Sequence, residues 1–322
     1  MTETGRAAGA DITVHTHDTR RLSPAGGPFG GPSSGSAGSP ASSTAGSPAG
    51  GAAGATNGLL RFVALGDSLT AGLGDGVSMG RDRAPAALAG RGFAALLAAT
   101  LAPPGHVHYE NLARTGATAR EVRVRQLPVA LALRPALACV VAGMNDVFKP
   151  TFDPLRLRQD LVWSIGRLRA AGVVVLTAKL PDPGGLLPLP GPFARLLTER
   201  VGHLNAAIDA AAARDPGVLV VDLGQHPAIH RRSTFDVDRV HPGPHGHRLI
   251  ARAFAEKLRE SGMILADLPD PHHEPPPPGT LDHLHWVVTI GIPWLAGRTR
   301  VIRRDPPARN HGFRRLGTAS GR

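Results

Sequence analysis

The chain has 322 residues, a formal net charge of +11 and a hydrophobic content of 42%. This length provides for one large domain or two small ones with a sizeable core. The single cysteine, Cys139, excludes an intrachain disulfide, and few cysteines are typical of a reducing compartment.

The N-terminal segment has the composition of a disordered tail. Between residues 23 and 58, 32 of 36 positions are Gly, Ala, Ser or Pro. Such a segment cannot bury enough apolar area to offset its ordering entropy, so we predict that residues 1–58 are disordered. Residues 1–22 contain no apolar run, and Arg20-Arg21 is followed by no apolar run either, so no signal peptide is expected. We therefore expect a cytoplasmic protein.

From residue 59 onward, short apolar runs alternate with longer segments of helical spacing. The runs do not alternate in polarity, as expected for strands buried on both faces; they are Leu59–Leu65, Val107–Leu112, Ala136–Ala142, Val173–Lys179 and Gly217–Leu223. The helical segments are Leu88–Leu101, Ala117–Leu133, Pro154–Ala171, Phe193–Arg214 and Pro244–Ser261. This order predicts an α/β fold with a parallel sheet, helices on both faces and right-handed crossovers.

Polar clusters follow four of the five predicted strands. They are Gly66–Ser68, Ala113–Gly116, Gly143–Asp146 and, after the last strand, Asp236–His241. Because the carboxyl ends of parallel strands meet at one rim of the sheet, we expect these clusters to lie together there.

Ser68 follows the first strand and begins a helical segment. A serine nucleophile needs a base and donors for the developing oxyanion, and a backbone N–H at a helix start is one such donor. By itself, Gly66-Asp67-Ser68 could equally be a capped turn. The other clusters favour catalysis, because Gly116 can offer a closely approached N–H and Asn145 a side-chain amide.

The base is predicted near the last helix. Asp238 and His241 are spaced i, i+3, so the carboxylate can orient the imidazole while its other nitrogen takes the serine proton. Asp236 is the rival orienting acid. The other nearby histidines have no acid three residues before them; they are His226, His230, His245 and His247. Thr70 stands where the G-x-S-x-G elbow of α/β-hydrolases requires Gly, which excludes that motif.

Residues 59–262 resemble the SGNH (GDSL) hydrolase family. Its four blocks are similar to Gly66–Leu69 (GDSL), Asn111–Thr118 (NLARTGAT), Gly143–Asp146 (GMND) and Asp238–His241 (DRVH). The resemblance implies a three-layer flavodoxin-like fold of strand order 2-1-3-4-5 and hydrolysis of esters or related acyl compounds, without metal or organic cofactor. The FVALGDSLTAGLGDG and ALRPALACVVAGMNDVFKP stretches look most similar to a branch common in actinobacteria.

The resemblance also implies the role of each residue. Ser68 would be the nucleophile, His241 the base and Asp238 its orienting acid. The oxyanion donors would be Ser68, Gly116 and Asn145. The substrate would be a small-molecule or lipid ester, and loops 75–91 and 180–193 on the same rim are expected to shape its pocket.

Residues 263–322 form a third predicted region, with a Pro-rich linker, a Trp-containing segment and a basic tail. Residues 298–322 hold eight Arg and one Asp. The Trp segment could pack on the hydrolase domain or bind an anionic membrane with the tail, while nucleic-acid binding is disfavoured because no aromatic-interleaved module is present. The alternative to an esterase is a non-catalytic adaptor that docks through this tail.

Overall fold

A computed structural model describes residues 59–75, 91–101, 106–187, 189–266, 276–286 and 288–289. The predicted tail 1–58, the interior of the 75–91 loop and the Arg-rich C-terminal tail lie outside these residues. Two compact units are distinguished, residues 1–277 and 278–322.

The first unit contains a five-stranded, all-parallel sheet. Its strands are β1 (Leu60–Gly66), β2 (Val107–Asn111), β3 (Leu137–Val141), β4 (Val174–Lys179) and β5 (Val218–Asp222). The order is β2-β1-β3-β4-β5, which confirms the predicted flavodoxin-like fold. All five residues of β3 are buried, as its unbroken apolar run predicts, and the lone thiol of Cys139 lies there.

Helices cover both faces of the sheet. They are α1 (Ser68–Ala71), α2 (Phe93–Leu101), α3 (Ala119–Glu121), α4 (Leu127–Ala132), α5 (Met144–Val147), α6 (Pro154–Ala170), α7 (Pro183–Leu186), α8 (Gly191–Ala212) and α9 (Pro244–Glu260). α2 packs against α9, and α6 packs against α8 and α3. The β1-to-β2 crossover runs opposite to the later ones, so right-handedness puts α2 on the other face from α6 and α8.

Three predicted boundaries differ from the structure. The predicted helix Ala117–Leu133 is interrupted by a π-helical turn at Val122–Gln126, which separates α3 from α4. In the described residues, the helix predicted to begin at Leu88 begins at Phe93. The predicted loop 180–193 contains α7, for which Asp182 supplies the cap and Pro183 the first helical residue. It also contains the first residues of α8, which begins at Gly191.

The second unit contains α10 (Thr280–Trp286). No helix in the described part of either unit combines the length and apolarity needed to cross a membrane.

Candidate active site

The turn after β1 carries Ser68 at the carboxyl rim of the sheet. Asp67 caps α1 by accepting a hydrogen bond from the Leu69 N–H at 3.1 Å, and Ser68 is the first residue of that helix. The turn requires Gly66, whose φ is +156° and whose added Cβ would lie 2.1 Å from the Val141 carbonyl oxygen. This close approach brings the reactive segment against the end of β3.

A second turn carries Asp238 and His241 just before α9. Asp238 Oδ2 lies 2.5 Å from His241 Nδ1, and Oδ1 accepts from the N–H groups of Val240 and His241, each at 2.8 Å. The turn is closed by Arg239, which has a positive φ of 59°. Burial alone would raise the pKa of Asp238, but hydrogen bonds and charge from His241 outweigh it, and the pKa lies below its usual value.

The structure joins these two turns directly. Ser68 Oγ lies 2.9 Å from His241 Nε2. Because the ionised Asp238 carboxylate can only accept, His241 Nδ1 carries a proton, and in the neutral ring Nε2 is then the acceptor for the serine hydroxyl. The three side chains form one continuous hydrogen-bonded chain.

The rival residues occupy other positions. Asp236 contacts His241 through the backbone, with its N–H donating to the His241 carbonyl at 2.8 Å. His247 is fully buried, where Nδ1 accepts from the Phe93 N–H at 3.1 Å and Nε2 lies 2.9 Å from the Leu73 carbonyl oxygen. His226 caps a short 3₁₀ turn through Nδ1.

Asn145 lies between the segments that carry the other two predicted oxyanion donors. Its Nδ2 donates to Asp67 Oδ2 at 3.3 Å and to the Ala117 carbonyl at 3.1 Å. Asp67 precedes Ser68, and Ala117 follows Gly116. Gly116 has a φ of +80°, and apart from Gly116 and its chain neighbours no atom of the described residues lies within 4 Å of a Cβ added there, so its backbone is open on the described side.

Asp67 is a buried acid directly beside Ser68. Its side chain is 4% exposed, and burial raises its pKa to about 6, against the lowering effects of the Leu69 N–H and of His241. Asp146 faces the same region and caps α3 through the Ala119 N–H at 2.9 Å; burial raises its pKa as well.

Two amide side chains that sequence reasoning missed support the site. Asn111 Nδ2 donates to the Thr70 carbonyl at 2.8 Å, and Gln126 bonds both backbone groups of Gly66. Gln126 could have been noticed as a polar residue in the apolar stripe of its helical segment. Within the described residues, no group of three or more His, Cys, Asp or Glu is arranged to hold a metal ion.

The fold and the hydrogen-bonded Ser–His–Asp set define an α/β protein of the hydrolase class. A family model described as GDSL-like lipase/acylhydrolase matches residues 64–249. The chain belongs to this family and is an ester-hydrolysing enzyme, which confirms the resemblance to SGNH hydrolases; its actinobacterial branch stays a prediction. None of the curated proteins matches the chain significantly.

Solved structures with a similar fold include three hydrolases. A lipase/acylhydrolase from Enterococcus faecalis has 18% identity and a TM-score of 0.48, covering 66% of this chain and 99% of its own. LAE5, an alpha/beta hydrolase from the metagenome of Lake Arreo, Spain, has 22% identity and a TM-score of 0.48, covering 62% and 94%. A catalytic mutant of an acetylxylan esterase from Geobacillus stearothermophilus has 20% identity and a TM-score of 0.47, covering 62% and 94%.

Proposed function

We propose that the chain cleaves carboxylic esters through an acyl-enzyme intermediate on Ser68. The observation that carries this proposal is the hydrogen-bonded chain from Ser68 Oγ through His241 to Asp238, with distances of 2.9 and 2.5 Å. A serine hydroxyl becomes an effective nucleophile when a base in hydrogen-bond contact takes its proton as it attacks.

His241 is the base and Asp238 the residue that orients it. The ionised carboxylate accepts a hydrogen bond from the His241 Nδ1–H. It also stabilises the imidazolium that forms when Nε2 accepts the serine proton. Because Asp238 also accepts two backbone N–H groups of its own turn, its carboxylate is held in place before the substrate arrives.

Three donors stabilise the oxyanion: the N–H groups of Ser68 and Gly116 and the side-chain amide of Asn145. As the first residue of α1, Ser68 has an N–H without an acceptor inside the helix. The Asn145 amide already donates to Asp67 and Ala117, and the longer bond, 3.3 Å to Asp67, is the one that an oxyanion would replace. Removing the Asn145 amide should lower kcat by about 10²–10³-fold.

The reaction follows in two halves. Ser68 Oγ attacks the carbonyl carbon, its proton passes to His241 Nε2, and the tetrahedral intermediate collapses as His241 protonates the leaving alcohol. Water then attacks the acyl-serine with His241 as base, and the acid is released with the Ser68 hydroxyl restored.

The experiment is hydrolysis of p-nitrophenyl esters of increasing chain length, with Ser68→Ala beside the parent. Ser164→Ala is a matched control, because Ser164 is fully buried and donates to the Asp160 carbonyl within α6. We expect activity to vanish only in Ser68→Ala, and a fluorophosphonate to add its mass to the peptide that contains Ser68. Substantial Ser68-independent hydrolysis would contradict the proposal. The chain-length profile would show whether the substrate is a short-chain or a lipid ester.

A separate proposal concerns the basic tail, and its basis is charge alone. Eight Arg and one Asp between residues 298 and 322 suit an anionic membrane surface, near which each Arg contributes about 1 kcal/mol. The full chain should bind phosphatidylserine vesicles at low salt and dissociate from them at high salt. A variant that ends at residue 297 should not bind the vesicles at either salt concentration. Equal binding by both chains would contradict this docking role; cytoplasmic location stays a prediction.

A further inference from the structure

Gln126 is a polar side chain at a core position. It is 3% exposed and shares the buried face of its helical segment with Ala119, Val122 and Ala130. Burial of an amide is unfavourable unless its polar atoms find partners. Both find them on a single residue: Oε1 accepts from the Gly66 N–H at 2.8 Å, and Nε2 donates to the Gly66 carbonyl at 2.9 Å.

The N–H and carbonyl of Gly66 point to the same side of β1 as β2, beyond the last residue that pairs with β2. The pairing of β1 with β2 ends at Ala64 and Asn111, and the Ala64 carbonyl accepts from the Leu112 N–H on that side. Backbone groups alternate between the two neighbours of a strand, so Gly66, two residues later, points the same way. The amide of Gln126 therefore pairs with the Gly66 N–H beyond the end of this pairing and shares the Gly66 carbonyl with the Arg114 N–H.

Gly66 connects the two segments that supply backbone donors to the site. Asp67 and Ser68 follow it directly, and its carbonyl also accepts from the Arg114 N–H at 3.2 Å. Arg114 in turn accepts from the Ala117 N–H at 3.0 Å, which closes the turn around Gly116. The orientation of the Gly66 carbonyl thus relates the Ser68 N–H to the Gly116 N–H.

A π-helical turn delivers Gln126 to this position. The turn spans Val122–Gln126, with the Leu127 N–H bonded to the Val122 carbonyl. A π turn interrupts the α-helical ladder, and such turns occur frequently at functional sites. The irregular backbone at this place is consistent with a positional requirement for the amide.

We propose that Gln126 is a positioning residue that sets the geometry of the oxyanion hole by holding Gly66. This inference rests on the proposed role of Ser68 and goes beyond it, because Gln126 touches neither substrate nor reacting atoms. It acts through the backbone N–H and carbonyl of Gly66, and its loss should weaken stabilisation of the transition state.

The chain contains a matched control for a purely structural role. Asn205, on α8, makes the same two bonds to Leu180, accepting from its N–H at 2.9 Å and donating to its carbonyl at 3.0 Å. Leu180 follows β4 as Gly66 ends β1, but it does not adjoin Ser68 in sequence. A structural role alone would make the two amides equivalent in their effect on turnover.

The first experiment compares Gln126→Met with Asn205→Leu, which keep side-chain size and remove both bonds. Ester hydrolysis is measured below both unfolding midpoints, together with the rate at which a fluorophosphonate modifies Ser68. In that modification Ser68 Oγ bonds to phosphorus, fluoride leaves and His241 takes the proton. For Gln126→Met we expect kcat, kcat/KM and the modification rate to fall together by about 10- to 100-fold. For Asn205→Leu we expect the unfolding midpoint to fall about as much as in Gln126→Met, while kcat stays within about threefold of the parent value.

Gln126→Glu gives a readout that a structural role would not produce. The ionised carboxylate can accept from the Gly66 N–H but has no donor for its carbonyl, whereas the protonated carboxyl has both. The ratio of variant to parent kcat should therefore rise at least about threefold as the pH is lowered. A pH-independent ratio would overturn the inference, including in the case where Gln126→Met does not fold. Equal kcat losses in Gln126→Met and Asn205→Leu would also overturn it.

Failure of the inference is distinguishable from failure of the proposed function. If Ser68→Ala is inactive while the Gln126 variants keep the parent's kcat, only the positioning role is wrong. If Ser68→Ala stays active and the fluorophosphonate does not modify Ser68, the acyl-enzyme mechanism is wrong and the positioning role falls with it.

Discussion

The amide of Asn145 donates to the carboxylate of Asp67 across 3.3 Å, joining the ends of β3 and β1 beside Ser68. The Asp67 side chain is 4% exposed, and burial raises its pKa to about 6. The ionised carboxylate is therefore held in the folded chain at neutral pH against its preference for water. The ionised Asp67 side chain therefore lowers the stability of the fold at neutral pH. Its hydrogen bond with Asn145 identifies the side chain that the charge orients.

Asp67→Asn should stabilise the fold at neutral pH. The folded pKa of about 6 exceeds the reference value of 3.8, so the folded state binds the extra proton between these values. The contribution of Asp67 to stability therefore falls as the pH rises from about 4 to 6, by roughly 3 kcal/mol. Asn can still cap α1 but carries no charge. The difference in unfolding free energy between variant and parent should grow over this range and level off above it.

Asp153→Asn makes the same change at an exposed cap, where Asp153 accepts from the N–H groups of Leu155 and Arg156. Urea unfolding of all three chains from pH 4 to 8 measures the differences. A pH-independent difference for Asp67→Asn would contradict the buried-charge explanation. The kcat of Asp67→Asn should fall, because the Asn145 amide loses the carboxylate that orients it before the oxyanion replaces that bond.

Asp238→Asn should lower kcat by about 10³–10⁴-fold with little loss of structure. Oδ1 of Asp238 accepts two backbone N–H groups, so the Asn oxygen will keep that place and turn its NH₂ toward His241 Nδ1. The imidazole proton then moves to Nε2, which can no longer accept from Ser68. Steady-state kinetics at pH 8 tests this, with Asp236→Asn as the control; a larger loss in Asp236→Asn would make the rival acid the orienting one.

Alanine at two glycines should separate folding from catalysis. In Gly66→Ala the new Cβ meets the Val141 carbonyl at 2.1 Å, so we expect the chain to misfold or to lose several kcal/mol, roughly 3 or more. In Gly116→Ala the Cβ meets no atom of the structurally described chain within 4 Å beyond its sequence neighbours, and the positive φ of +80° costs about 1–2 kcal/mol. With Gly116 as a proposed oxyanion donor, that methyl group would stand in the way of the substrate oxygen, so we expect kcat/KM to fall about tenfold or more. Thermal unfolding and kinetics of both variants check the pair, and a fully active Gly116→Ala would remove Gly116 from the oxyanion hole.

His247 should make the fold acid-sensitive. Burial lowers its pKa, and both ring nitrogens bond backbone groups in the neutral form. A group with a lowered pKa of this kind stabilises the fold above its unfolded pKa of about 6.5 and loses that contribution as the pH falls. At pH 7.5, the free energy of unfolding of His247→Gln should be about 1–3 kcal/mol below that of the parent. On acidification to pH 5.5, the variant should lose less stability than the parent does. The exposed His203→Gln is the control, and equal acid sensitivity of variant and parent would contradict the assignment.

Much of the fold could be predicted because buried parallel strands are short, unbroken apolar runs. The five predicted strands agree with the structure to within one residue at each end, since turn residues bound them. The position of the site could be predicted because the polar clusters that follow parallel strands lie at the same rim of the sheet. The roles of Ser68, Gly116, Asn145, Asp238 and His241 remain predictions for the variants above to test.

The π turn and the partners of Gln126 could not be predicted, for a physical reason. Hydrophobic periodicity reports which side of a helix is buried, and one π turn changes that pattern too little to be visible. The bond from Gln126 to Gly66 joins residues 60 positions apart, and an amide can pair with any backbone group it meets. Only the assembled fold identifies which one.

The proposed nucleophile and base are also far apart along the chain, with Ser68 and His241 separated by 173 positions. A ribosome that has made the turn with Ser68 and four of the five strands has not yet made His241. With His241 as the proposed base, we expect hydrolysis to begin only after the last strand and the turn before α9 have reached the sheet. Appearance of esterase activity during refolding or synthesis would report that final docking step, and its lag behind β-sheet formation would time the closure of the loop between Ser68 and His241.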